Sequence, residues 1–105
     1  VNFQRRNAMN QAIIQGIKEM RLLSFTYDGY QRVVEPHCYG ITTAGNEAIR
    51  CYQVSGGSSS GKVPDWHMMT TNKIVGLTLS QDNFSAPRSG YKKGDKGMST
   101  IYCEL

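Results

Sequence analysis

The sequence predicts a mainly β domain with one N-terminal helix, an α+β chain built on a small closed sheet of about five antiparallel strands. Three observations carry this. Leu23, Phe25 and Tyr27 alternate with Ser24 and Thr26, the period-two pattern of a half-buried strand. Asp28-Gly29 follows at once, the dipeptide that a type I′ hairpin turn needs, because both central residues take positive φ. Upstream of both, apolar residues recur at helical spacing.

That helix is expected over residues 3–21. Met9, Ile13, Ile17 and Met20 fall on one stripe, widened by Ala12 and Ile14. Arg5, Arg6, Gln11, Gln15, Lys18 and Glu19 populate the other sides. Gly16 weakens a helix by about 1 kcal/mol relative to Ala, so close packing is expected there. Arg5 and Arg6 read as a solvated first turn. Cations near a helix N-terminus do not stabilise it.

The strands follow in order. The first covers Leu22 to Tyr27, with Tyr27 and Tyr30 paired across the turn. The second runs from Arg32 to about Ile41. Strict alternation puts Val34, Pro36 and Cys38 on one face and Val33, Glu35, His37, Tyr39 and Ile41 on the other. Pro36 cannot donate to a ladder, so a bend, bulge or edge is expected near it. A turn over residues 42–46 leads to a third strand, Ala48 to Val54. Its Ile49 and Cys51 oppose Arg50 and Tyr52, so both faces carry bulky groups. Ser55 to Lys62 is a Gly/Ser-rich hairpin loop. It lacks the spacing of a phosphate-binding P-loop. Trp66 to Thr71 and Ile74 to Leu79 read as a last pair of strands around Asn72-Lys73. Phe84 is expected to plug one end of the core.

Two units are expected: a domain over 1–86 and a Gly/Lys-rich extension over 87–105 that docks on it. The extension holds Arg88, Tyr91, Lys92, Lys93 and Lys96 with a single acid, Asp95, before a strand-like stretch from Ser99 to Cys103. The length of 105 residues suits one domain with a real core. Three cysteines without close spacing read as reduced, buried thiols, with no metal and no cofactor implied. No apolar run is long enough to span a membrane, and the opening residues do not form a secretion leader. A cytoplasmic protein is expected. The net charge of +4 suits an anionic partner.

At Arg32-Val33-Val34-Glu35-Pro36 the chain resembles the WYL domain family, which shows an aromatic-rich strand, a hairpin turn and an Arg-x-Val-x-Pro strand. The resemblance runs from about residue 10 to 84. Glu47-Ala48-Ile49 stands at the family's tripeptide, without its aromatics. Met69-Thr70-Thr71-Asn72-Lys73-Ile74 looks like its Phe-Arg-Leu-Asp-Arg-Ile segment. The resemblance implies an SH3-like β-barrel that senses a nucleotide or nucleic acid through basic and polar residues. The family's usual helix-turn-helix is not found in this sequence, which looks like a short, stand-alone relative.

Two histidines and eight acids give thin material for an enzyme. Alternation puts His37 and Cys38 on opposite faces, so they form no nucleophile–base pair. No nucleophile elbow or zinc-protease helix occurs. No catalytic residue is predicted, and a cryptic hydrolase using Cys103 or Cys51 with His67 stands as a third reading. A binding face is easier to build. Arg32, His37, Tyr39, Arg50, Tyr52 and Gln53 lie on adjacent strands if pairing runs in sequence, with Lys73 joining from the last hairpin. Arg offers a fork for phosphate and Tyr a face for a base. Arg88, Tyr91, Lys92, Lys93 and Lys96 suit a nucleic-acid backbone. Trp66 reads as core. The expected function is a non-enzymatic module that binds a nucleotide or single-stranded nucleic acid. The alternative is a protein-interaction or oligomerisation subunit of a larger bacterial complex.

Overall fold

Turn chemistry sets the first hairpin. In the computed structural model, which describes residues 2–105 and their side chains from Ala8 onward, β1 (Arg21–Tyr27) and β2 (Tyr30–Thr42) pair antiparallel. Asp28 and Gly29 take φ of 51° and 77°, the left-handed pair of a type I′ turn. Tyr27 faces Tyr30 across it.

Helix α1 (Asn2–Lys18) ends before the residue 21 that its periodicity suggests. Met20 takes φ of 53° and turns the chain into β1. Ile13 and Ile17 are buried against Leu23, Phe25, Val34 and Ile49. A Cβ on Gly16 would lie 3.1 Å from Leu23 and 3.3 Å from Pro36, so the missing side chain lets the helix sit down on the sheet. Arg5 and Arg6 lie outside the residues whose side chains are described.

Four more strands follow: β3 (Glu47–Gly56), β4 (Asp65–Thr70), β5 (Val75–Asn83) and β6 (Met98–Glu104). The sheet order is β4-β3-β2-β1-β5, with β6 also on β2. The sheet thus has six strands against the expected five, and β4 and β5 stand at its ends rather than closing a barrel. A 3₁₀ turn at Thr71–Lys73 carries the chain from one end strand to the other.

The thirteen residues of β2 use one edge twice. The first half pairs with β1 up to Val34, and the second pairs with β6 from Cys38 to Thr42. Pro36, which has no N–H, sits where one neighbour gives way to the other. Along the opposite edge, β3 pairs with β2 but slips by one residue between Pro36 and Cys38. His37 is the extra residue of that bulge.

A bulge resets the alternation that follows it. Arg32, opposite Phe25, and Val34, opposite Leu23, face the helix and the core. So does Tyr39, which pairs with Ile49 and is 2% exposed. Glu35 and Cys38 pair with Tyr52 and Arg50 on the outer face. This corrects strict alternation twice. Tyr39 is a core residue, and His37 and Cys38 both serve the outer side.

Residues 84–97 cross that outer face as an irregular strap. Phe84 therefore does not plug the core end. It stacks on His37, with ring centroids 5.5 Å apart and planes 20° from parallel. Covered on both sides, β2 is buried continuously from Val34 to Gly40. Among the described residues, no helix is long and apolar enough to cross a membrane.

Candidate functional site

The strap is held by contacts that the sheet's outer face supplies. Glu35, 5% exposed, receives both arms of the Arg88 fork, from Nε to Oε1 at 2.7 Å and from Nη2 to Oε2 at 3.0 Å. The same guanidinium lies 4.7 Å over the Tyr52 ring. His37 is fully buried, and its Nε2 accepts the backbone N–H of Arg88 at 3.0 Å. That leaves the proton on Nδ1, which donates to the carbonyl oxygen of Glu35 at 2.8 Å. The rings of Trp66, Phe84 and Tyr91 enclose it at 4.7, 5.5 and 5.0 Å. Burial holds the imidazole pKa below its ordinary value.

Further along, Arg50 donates from Nε to Asp95 Oδ2 at 2.7 Å and from Nη2 to Oδ1 at 3.3 Å. This guanidinium holds the Asp95 carboxyl below its usual range. Tyr91 donates its hydroxyl towards the carbonyl oxygens of His37 and Leu105, each at 3.4 Å.

Between strap and sheet lies a cleft of about 380 Å³. Arg50 and Trp66 line it from the sheet, and Tyr91, Lys92, Lys93, Asp95 and Lys96 line it from the strap. Four cations thus face one acid. The indole of Trp66 and the ring of Tyr91 are 25° from parallel with centroids 6.3 Å apart. The three lysines are exposed.

The structure splits the expected Arg/Tyr face. Arg50 and Tyr52 are outside, but Arg32 and Gln53 are inside, 3% and 0% exposed. Arg32 donates from Nε to the Tyr27 carbonyl at 3.1 Å and from Nη1 to Gln53 Oε1 at 3.2 Å. Its guanidinium sits 5.2 Å from the Tyr27 ring and 5.7 Å from that of Tyr30. The Gln53 amide spends its protons on the carbonyls of Ser55 and Gly57, which aims its oxygen at Arg32. Arg32 and Arg50 share no groove, because Phe25 and Cys38, their partners, look to opposite sides of the sheet. Tyr39 donates to Glu47 Oε2 at 2.7 Å inside the core. His37 is closed off by the strap. Lys73 is exposed on the 3₁₀ turn and lines no part of the cleft.

From the tail, Tyr91, Lys92, Lys93 and Lys96 do come together, joined by Arg50. Arg88 is engaged with Glu35 instead. Two cleft residues escaped the sequence reading. Trp66 reads as core from its strand position, yet it pairs with Tyr52 on the outer face. Asp95 carried a signal: it is the lone acid in a run of four cations.

Burial disfavours the thiolate, the nucleophilic form, at all three cysteines. Burial pushes Cys38 and Cys51 up to about 12, and Cys103 is raised as well. Among the described residues, no group of three or more His, Cys, Asp and Glu could hold a metal ion. Comparison with protein-family models, curated proteins and solved structures found no match.

Proposed function

We infer that the chain is a non-enzymatic, WYL-like binding module that holds a nucleotide or a short single strand of nucleic acid in the strap cleft. One observation carries this reading: four cations and two aromatic rings converge on one concave surface. Lysines neutralise phosphates and release counterions, while an aromatic face stacks a base for about 1–3 kcal/mol. Arg50 adds a planar fork suited to a phosphate.

The reading differs from a shared Arg32/Arg50 face in where the ligand sits. Arg32 serves the hairpin and the Gly/Ser loop, and Arg50 serves the cleft. The strand order supports an SH3-like curl of the sheet, since four residues, three of them a 3₁₀ turn, bridge its two end strands.

Trp66 is the sole tryptophan, so its fluorescence reports on the cleft directly. Nucleoside monophosphates and short oligothymidylates, titrated at two salt concentrations, should quench it and bind more weakly at high salt. Absence of binding to every member at low salt rejects the function.

A further inference from the structure

The Arg50 fork lines the cleft, and a carboxylate already fills it. Asp95 meets it with both oxygens, at 2.7 and 3.3 Å. A guanidinium presents the same parallel donors to a carboxylate and to a phosphate. Asp95 is also the only acid among the residues lining the cleft. Its side chain is 11% exposed, so it is not a surface charge that met Arg50 by chance.

The same carboxylate shapes the chain beyond it. Its Oδ1 accepts the Gly97 N–H at 2.8 Å, while the main-chain carbonyl of Asp95 accepts the Met98 N–H at 3.0 Å. Met98 begins β6. The group in the fork is therefore built into the turn that launches the strand on β2.

We propose that Asp95 is an internal stand-in for a ligand phosphate: it competes for the Arg50 fork and is displaced when a phosphate enters. The proposal rests on the anion-binding reading of the cleft. Two anions cannot share one fork without repulsion. A phosphate brings more charge and more acceptor oxygens than a carboxylate, and Lys92, Lys93 and Lys96 favour it further. Displacement costs the chain its Asp95–Gly97 bond, so ligand entry is coupled to the turn before β6. Asp95 is a specificity device on this account, because a ligand must outbid it with a dianion rather than a single charge.

Pyrophosphate is the probe, titrated by Trp66 fluorescence against the full chain, D95N and D82N. Asp82 is an exposed acid on β5, outside the cleft, and it controls for net charge. D95N should tighten binding by roughly tenfold, the factor expected when one charged hydrogen-bonding competitor is removed. D82N should leave affinity unchanged. In the wild-type chain, pyrophosphate should speed hydrogen exchange at the Gly97 amide, which loses its acceptor. That second measurement decides the matter if D95N does not fold. Equal or weaker binding by D95N, or an unchanged Gly97 amide at saturation, overturns the proposal and leaves the cleft reading standing. No pyrophosphate binding by any of the three proteins at low salt overturns both.

Discussion

His37 and Arg88, fifty-one residues apart in sequence, meet through a 3.0 Å bond in which the Arg88 backbone N–H donates to the imidazole Nε2. The strap that forms one wall of the cleft is thereby pinned to the β2 bulge. The bond requires a neutral ring, since a protonated Nε2 would present a hydrogen to another hydrogen.

Acid should therefore loosen the strap. Burial lowers the folded-state pKa of His37, with Glu35 the charge that favours its protonation and Arg88 the charge that opposes it. Above the unfolded value near 6.5 the ring is neutral in both states and this contribution is fully present. Below it the unfolded chain takes up a proton that the folded chain resists, so stability falls as pH drops. The slope from this group is at most about 1.4 kcal/mol per pH unit. Urea unfolding between pH 8 and pH 5 should show the decline, and H37F should flatten it. A decline of equal slope in H37F removes the imidazole as its source.

The Glu35–Arg88 pair should show strong coupling. R88A leaves a carboxylate that is 6% exposed without its cation. The single variant is expected to lower the urea midpoint more than the double variant E35Q/R88A, in which no charge is left buried. Strictly additive midpoints would mean that the two side chains do not stabilise each other. R88A should also weaken ligand binding in the cleft, although Arg88 does not line it, because Tyr91 follows it on the strap.

Gly40 should tolerate no side chain. A Cβ there would overlap the carbonyl oxygen of Thr100 and crowd the Ile101 backbone, where β6 lies on β2. G40A is expected to cost about 1–3 kcal/mol as overpacking. Faster hydrogen exchange should concentrate in β6, with the β1–β2 hairpin protected as before. An unchanged melting temperature would show that the two strands can separate at little cost.

Local chemistry was enough for those elements whose cause is local. Asp28-Gly29 forces the hairpin turn, Ile13 and Ile17 mark the buried stripe of α1, and Gly16 announces the helix's close approach to the sheet. Ser99 to Cys103, with its Thr, Ile and Tyr, looks strand-like before any partner is known. The same holds for Pro36 as an irregular point in β2.

The placement of side chains beyond Pro36 is a different matter. Alternation depends on an unbroken ladder, and the extra residue at His37 is visible only in the register between β2 and β3. That slip turns Tyr39 into the core and brings His37 to the strap. The sequence by itself determined a β-rich chain with one helix and a cationic tail, because propensity, spacing and charge belong to the residues and their order. Only the tertiary structure decided that Arg32 is locked inside while Arg50 joins Trp66 and the strap lysines, because a face is defined by which strands pair and in what register.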